Sequence, residues 1–138
     1  TKDVTERQCE GCIPCYSGFH PHLLIEKNYY ASCLTDENDN LIEIREKYCF
    51  EKDKTKAKHS PGVYYFKTGS LLKKYCQKLV DSNQTLNGEF YASLPYNFMV
   101  QDGLKVWVPV NVEKFCQWGT PEDMADYLFW TECVRRFV

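Results

Sequence analysis

The sequence has 138 residues, a formal net charge of −2 and 43% hydrophobic residues, which suffices for a single domain, residues 1–138, with a substantial core. This charge balance lacks the basic footprint of proteins that bind nucleic acid or anionic membranes. No apolar run approaches the roughly 18 residues that a membrane helix needs, and no N-terminal signal pattern is visible. Because the chain does not begin with Met, we expect a processed protein, a fragment or half of a longer protein.

The first half of the chain predicts short β structure. Residues 12–16 are apolar around an internal proline, Pro14, and predict an edge strand or the end of a strand. Residues 29–34 and 41–47 are rich in strand-forming side chains, and the polar residues 36–40 between them are typical of a turn. Together these last segments predict a β-hairpin.

The second half predicts alternating strands and helices. The expected elements are a Lys-rich loop at 51–59, a strand at 62–67 buried on both faces, a helix capped by Thr68 with an apolar stripe from Leu71 to Val80, a helix over 90–100, strands at 104–110 and 112–118, and a final helix that directs Met124, Tyr127, Leu128 and Trp130 inward. Strands separated by helices predict an α/β fold, with a mixed sheet flanked by helices.

The junction at residues 115–124 has the strongest local signal. Thr120 suits the N-cap of the last helix, and Pro121 suits the first helical position, where its missing N–H costs nothing. Gly119 before them allows a close backbone approach or a positive φ. A strand that passes into a helix in this way is where α/β sheets place ligands, so the junction is a candidate ligand site.

The eight cysteines leave two interpretations open. An even number in a short chain can form a disulfide scaffold, and residues 83–85 match a glycosylation acceptor, which would suit a secreted domain. Most of the cysteines, however, lie in apolar periodic segments, as small core residues do. We therefore expect free thiols and a cytoplasmic protein.

Two short motifs carry potential metal ligands. Cys9, Cys12 and Cys15 are spaced as C-x-x-C-x-x-C, and His20 or His22 could add a fourth ligand. A structural zinc site normally pairs two such clusters, and no second CxxC is present. We therefore expect unligated thiols, and a histidine loop held by hydrogen bonds that could still contact a ligand.

Glu46 is the acidic residue whose predicted position is most unusual. In the second hairpin arm it shares a face with Ile44, which should point to the core or to a cleft. A buried carboxylate needs a partner or a substrate, and the neighbouring Lys47 could offer a point charge to a phosphate. Glu89, beside Gly88, could either cap a helix or contact a ligand. No complete catalytic motif is present.

Five segments, in this order, resemble the C-terminal half of the sugar-phosphate nucleotidyltransferases. The resemblance is closest to glucose-1-phosphate thymidylyltransferase-like enzymes of a bacterial branch linked to capsule and surface-polysaccharide biosynthesis. The segments are residues 16–22, 43–47, 62–67, 88–94 and 118–123.

The resemblance implies a Rossmann-like, nucleotide-diphospho-sugar transferase fold, of which this chain would form part. A complete enzyme of the family joins an NTP to a sugar phosphate and releases pyrophosphate, using Mg²⁺. Glu46-Lys47 match the family's Glu-Lys pair, whose carboxylate holds sugar hydroxyls and whose ammonium faces the phosphate. Gly62 matches a glycine beside the sugar. The substrate-binding residues implied in this way are Glu46, Lys47, Gly62, Val63, His20, Glu89, Trp118 and Gly119.

Three departures from the family's pattern limit this expectation. The N-terminal half, with its Gly-rich NTP loop, is not in this sequence, so NTP would bind only through a missing or separate half. Gln117 stands where many members have an Asp that completes the Mg²⁺ site, and a neutral amide is a poorer ligand. Tyr48 replaces the proline expected after Glu-Lys. We therefore expect a chain that is inactive alone.

The absence of the N-terminal half from this sequence also leads to a prediction about binding partners. A half sheet would leave an edge and an apolar face uncovered, which predicts self-association or a partner chain. A non-catalytic module that binds sugar phosphates and regulates another protein remains the alternative to an enzyme half.

Overall fold

The computed structural model describes residues 2–137, which contain four α-helices and two three-stranded sheets. The helices are α1 (Lys2–Glu6), α2 (Gly69–Ser82), α3 (Pro95–Gln101) and α4 (Pro121–Phe137), and the strands are β1 (Gly11–Cys12), β2 (Ser32–Thr35), β3 (Leu41–Arg45), β4 (Lys58–His59), β5 (Tyr65–Phe66) and β6 (Val106–Trp107). Single 3-10 turns lie at Pro21–Leu23 and Lys54–Lys56. The predicted mixed α/β architecture, with strands flanked by helices, is confirmed.

The first sheet has the order β5-β1-β6, with β1 antiparallel to β5 and parallel to β6. Of the two predictions for residues 12–16, an edge strand is wrong, because this segment pairs on both sides, whereas the end of a strand is confirmed, because β1 ends at Cys12. Ile13 N donates to Trp107 O at 2.9 Å, and Cys15 N donates to Pro109 O at 2.8 Å. Pro14 lies between these two donors, at a position whose backbone nitrogen makes no hydrogen bond to the neighbouring strand, so its missing N–H has no cost.

The second sheet has the order β3-β2-β4, and its β2–β3 pair is the predicted hairpin, which is confirmed. Asp36 organises the turn, because its Oδ1 accepts hydrogen bonds from the backbone N–H groups of Asn38 and Asn40 at 2.9 and 2.8 Å. This is the local side-chain bonding that makes Asp a turn residue.

The helix α2 begins as predicted, with Thr68 Oγ1 accepting from Leu71 N at 3.2 Å. Its buried stripe is narrower than predicted, since only Tyr75 and Leu79 are buried and the side chains of Leu72 and Val80 are exposed.

The helix α3 begins at Pro95, so the predicted start near Phe90 is wrong. Residues 86–89 instead form a tight turn, in which Leu86 and Glu89 exchange two backbone hydrogen bonds. Asn87 and Gly88 have φ values of 54° and 79°. A positive φ at both central residues is typical of a type I′ turn, and Asn-Gly is the strongest sequence signal for such a turn.

The core lies where α3 packs against both sheets. Its central members are fully buried and come from β3, α3, β6 and the segments that follow β1 and β6, namely Ile13, Cys15, Ile44, Tyr96, Met99, Val106 and Val108. Gly11 in β1 permits this packing, because a Cβ there would lie 2.7 Å from Cε1 of Tyr96. The strand predicted at 62–67 is reduced to β5 and is not buried on both faces, because Tyr65 is exposed and Phe66 is only partly buried.

The segment before α4 differs most from the prediction. Residues 112–118 form no strand, and β6 is only two residues long. Thr120 caps α4 as predicted, its Oγ1 accepting from Asp123 N at 3.1 Å. None of the α4 side chains described is buried, so the prediction that this helix directs apolar residues inward is wrong. Residues 112–118 belong to neither sheet, and the α4 rings of Tyr127 and Trp130 instead contact Trp118 and Phe129.

Within residues 2–137, no helix combines the length and the apolar character that crossing a membrane requires.

Candidate functional site

Glu46 lies just beyond the end of β3 and is half-buried. Ser93 Oγ donates a hydrogen bond to its Oε1. Desolvation raises the pKa of the Glu46 carboxyl, while the bond from Ser93 and the charge of Lys47 oppose that rise in part. A carboxylate in this position can accept hydrogen bonds from a ligand, because one hydroxyl does not satisfy its two oxygens.

Lys47 turns the chain out of the strand, with a φ of 52°. Its ammonium is exposed and lies 5.2 Å from the centroid of the Tyr91 ring. Hydrogen bonding to Tyr91 raises the pKa of Lys47, and the Tyr91 hydroxyl donates to Glu89 Oε2 at 2.5 Å. Tyr91 therefore links Lys47 to Glu89.

The turn around Gly62 connects to the same carboxylate. Gly62 N donates to Ser60 Oγ at 3.2 Å. Burial raises the pKa of Tyr64 to about 12, and hydrogen bonds with Ser60 and Ser93 act against that rise. Since Ser93 also bonds Glu46, a continuous polar network runs from Glu46 to the Gly62 turn.

The cleft beside this network, called here the hairpin cleft, has a volume of about 640 Å³, a size that suits a small ligand. Its lining is residues 43–48, 83–87, Leu94 and Asn97. Glu46 and Lys47 therefore line the same cleft as the loop that follows α2, which carries the carboxamides of Asn83, Gln84 and Asn87. Gly62 and Val63 do not line the cleft, although Gly62 belongs to the network behind it.

A second cavity, called here the aromatic groove, has a volume of about 480 Å³. Its lining is Pro21, His22, Phe115, Cys116, Gln117, Trp118, Asp123, Asp126, Tyr127 and Trp130. Gly119 adjoins the groove without a positive φ, and a Cβ at this position would meet only Asp123 Oδ2, at 3.9 Å.

Gln117 is held by two hydrogen bonds in this groove. Its Oε1 accepts from the Tyr30 hydroxyl at 2.9 Å, and its Nε2 donates to Asp123 Oδ2 at 2.9 Å. The amide oxygen is thus occupied, and Asp123 also accepts from Thr120 N at 3.1 Å. This arrangement does not fit Mg²⁺, which prefers free carboxylate oxygens and water.

His20 lies behind the groove in a cluster of rings around the buried Tyr16. The members of the cluster are Tyr16, His20, His22, Tyr30, His59 and Phe115. His20 is buried, with its Nε2 at 3.4 Å from Phe115 N. Desolvation is the main cause that lowers the pKa of His22 to about 4, and the charges of His20 and His59 contribute less. The Nε2 atom of His22 lies 2.8 Å from the Tyr16 hydroxyl.

The residues predicted to bind substrate thus fall into two groups. Glu46, Lys47, Glu89 and Gly62 share one network, whereas His20, Trp118 and Gly119 lie at or beside the aromatic groove. The hairpin cleft and the aromatic groove share no lining residue.

Sequence reasoning missed the residues that hold the first group together. They are Ser60, Tyr64, Tyr91 and Ser93. It also missed the amide-rich loop at 83–87, which lines the hairpin cleft. Tyr91 and Ser93 lie in the segment 88–94, one of the five on which the resemblance rests. Their position beside Glu89 in that segment could have marked them as candidate site residues.

All eight cysteines carry free thiols in the structure. The Sγ atoms of Cys15 and Cys33 lie 3.9 Å apart in the core, and burial raises the pKa of Cys12 to about 11, which makes its thiol unreactive at neutral pH. Among the residues that the structure describes, no three His, Cys, Asp or Glu side chains converge as a metal site.

Comparisons with known proteins identify the fold. No protein-family model matches the sequence, and neither does any curated protein. Among solved structures, a nucleoside-diphosphate-sugar pyrophosphorylase from Vibrio cholerae RC9 is similar, with a TM-score of 0.68 and 17% identity over 90% of this chain and 48% of that one. A CMP:2-keto-3-deoxy-manno-octonic acid synthetase in complex with CTP gives a TM-score of 0.53 and 12% identity over 95% of this chain and 54% of that one.

These similarities show that the chain shares the fold of the matched parts of these two structures. The chain spans about half the length of the two structures that it matches.

Proposed function

We propose that this chain is the sugar-phosphate-binding part of a nucleotidyltransferase that joins an NTP to a sugar phosphate and releases pyrophosphate. The observation that carries the proposal is the Glu46–Lys47 pair on the wall of the hairpin cleft. Glu46 is half-buried and accepts a hydrogen bond from Ser93 on one of its two oxygens, whereas Lys47 presents a positive charge beside it. A sugar phosphate offers hydroxyls to the first and a phosphate to the second.

The amide-rich loop at 83–87 supports the same ligand class. Its carboxamides line the same cleft as Glu46 and Lys47 and can both donate to and accept from sugar hydroxyls. Phosphoryl chemistry depends mainly on positioning and charge neutralisation, so a binding half of this kind needs no covalent catalyst of its own.

The NTP is bound by residues outside this sequence, in an N-terminal half or a separate chain. The Mg²⁺ of the family also needs ligands from there, because Gln117 and Asp123 do not fit it. We infer a role in polysaccharide biosynthesis in the cytoplasm, where nucleotide sugars are made and free thiols persist. This rests on the resemblance and on the free cysteines.

A non-catalytic regulatory module is the second candidate. The occupied amide of Gln117, at the position of the family's metal-binding Asp, favours it. Adding an NTP-binding half distinguishes the two functions, since only an enzyme half then releases pyrophosphate from NTP and sugar phosphate.

Isothermal titration with hexose 1-phosphates, in the absence of NTP, tests binding by the hairpin cleft. We expect Lys47→Met and Glu46→Gln each to weaken binding by about tenfold, the loss of one charged hydrogen bond. Lys52→Met and Glu37→Gln, exposed positions outside the cleft, should leave the affinity unchanged. Free hexose should bind less tightly than its phosphate, and that difference should shrink in Lys47→Met.

Absence of binding to every hexose 1-phosphate, or equal losses in the control variants, would contradict a sugar-phosphate site at this cleft.

A further inference from the structure

Lys47 lines the hairpin cleft with a side chain that needs a neighbour to hold it in place. The side chain is exposed and ends a flexible four-carbon stem. A lysine that is ordered only when its ligand arrives loses rotamer freedom at that moment. A contact that holds the ammonium at the cleft before binding therefore raises the affinity for an anion.

Tyr91 makes that contact. The centroid of its ring lies 5.2 Å from Lys47 Nζ, within the range of a cation–π interaction. Its hydroxyl donates its one hydrogen to Glu89 Oε2, so the phenol oxygen can act only as an acceptor toward the ammonium. The hydrogen bond with Tyr91 is also the main cause of the raised pKa of Lys47, to which the charge of Glu89 adds.

Tyr91 holds Lys47 from outside the hairpin cleft. Neither Tyr91 nor Glu89 lines the cleft, whereas Lys47 does. The backbone fixes Tyr91 on both sides, because the turn at residues 86–89 precedes it and Leu94 N donates to Tyr91 O at 3.1 Å. Tyr91 therefore acts on a ligand in the cleft through Lys47.

We propose that Tyr91 is a positioning residue, which holds the Lys47 ammonium at the wall of the hairpin cleft and gives the site its preference for phosphorylated over free sugars. Glu89 supports Tyr91 by accepting its hydroxyl hydrogen, so Glu89 acts behind the site and does not contact the ligand. The phosphate preference rests on the proposed function, whereas the contact between Tyr91 and Lys47 does not.

Isothermal titration of Tyr91→Phe with hexose 1-phosphate and with free hexose tests the phosphate preference. The variant keeps the ring and loses the hydroxyl. We expect the dissociation constant for hexose 1-phosphate to rise about threefold, the loss of one hydrogen bond, and that for free hexose to stay unchanged.

Tyr29→Phe is the matched control. The Tyr29 ring lies 5.4 Å from Lys27 Nζ in a similar pair, and neither residue lines the hairpin cleft. This variant should bind hexose 1-phosphate as the wild type does. Equal losses in Tyr91→Phe and Tyr29→Phe would overturn the positioning role.

A double-mutant cycle tests whether Tyr91 acts through Lys47. In a Lys47→Met background, Tyr91→Phe should cause no further loss of affinity for hexose 1-phosphate, because the ammonium that Tyr91 holds is absent. The same loss in both backgrounds would show that Tyr91 acts on the ligand or on the fold, and would overturn the positioning role.

The pKa of Lys47 in the free protein gives a measurement that needs no ligand. A carbon NMR titration of the lysine Cε groups should show a lower pKa for Lys47 in Tyr91→Phe and an unchanged one in Tyr29→Phe. An unchanged pKa in Tyr91→Phe overturns the inference. A lowered pKa in a protein that binds no hexose 1-phosphate supports the contact between Tyr91 and Lys47 and contradicts the sugar-phosphate function.

Discussion

Glu46 is held in its charged form against the preference of its surroundings. Burial raises the pKa of the carboxyl above its ordinary 4.5, and the hydrogen bond from Ser93 only partly opposes the change. Groups that weaken the folded state in this way are typical of functional sites, where binding takes precedence over stability.

Replacing Glu46 by glutamine should therefore stabilise the protein at neutral pH. Because the pKa of Glu46 is raised in the folded state, the contribution of this residue to stability is greatest below pH 4.5 and is lost as the pH rises through the folded pKa. A glutamine amide cannot ionise, so Glu46→Gln should unfold at a higher temperature at neutral pH and at a similar temperature in acid. Thermal unfolding across this pH range measures the difference, with Glu37→Gln as the control. A gap between variant and wild type that did not vary with pH would contradict this account.

At the scale of elements, the outer edge of β3 is closed by a side chain. Ile44 N donates to Asn97 Oδ1 at 2.9 Å, and Asn97 Nδ2 donates to Ile44 O at 2.9 Å. Asn97 thus takes the place of a neighbouring strand at the fully buried Ile44. It also fixes the hairpin arm that carries Glu46 against α3.

Asn97→Ala should destabilise the protein by about 1–3 kcal/mol, since it leaves buried backbone groups without partners. Asn111→Ala, a change of the same type at an exposed position, should have little effect. Chemical denaturation of the two variants measures both free energies of unfolding. Equal stabilities would show that water replaces Asn97 at the strand edge.

The elements that depend on local chemistry could be predicted. The β2–β3 hairpin and the caps Thr68 and Thr120 follow from turn residues and hydroxyls that act within four residues. The start of α3 could also have been predicted, because Asn87-Gly88 is typical of a type I′ turn. The apolar residues that follow this pair favoured a helix that begins too early, near Phe90. The apolar residues at 124–130 were wrongly predicted to be buried. Their periodicity indicates an apolar helix face but does not identify the surface that packs against it.

At the scale of the whole molecule, the ring cluster around Tyr16 joins segments that are distant in sequence. It brings His22, His59 and Phe115 to one buried tyrosine. Desolvation lowers the pKa of His22 to about 4 and also lowers that of His59. The fold therefore depends on uncharged histidines at this junction.

Acid should weaken the fold through these histidines. An unfolded histidine takes up a proton near pH 6.5 and the folded His22 only near pH 4, so the stability present above pH 6.5 is lost as the pH falls toward 4. His22→Gln should lose less stability over this range than the wild type. Denaturation at a series of pH values compares the two slopes, and identical slopes would exclude His22 as a source of the acid sensitivity.

The division of the candidate residues between two cavities could not be predicted. Strand alternation would place the adjacent Glu46 and Lys47 on opposite faces. Both line the cleft because β3 ends at Arg45 and the chain turns at Lys47, where φ is 52°. Whether Gly62 or Trp118 joins them depends on how loops close over a sheet, and no local pattern encodes that distance.

The sequence by itself determined the α/β class, the hairpin, the helix caps and the candidate status of Glu46, because each depends on alternation or hydrogen bonding between near neighbours. Only the tertiary structure decided that β1 is central, that Ser93 and Tyr91 hold the charged pair, and that α4 stands uncovered. These features arise from contacts between residues far apart in the chain, whose formation depends on how the elements pack together.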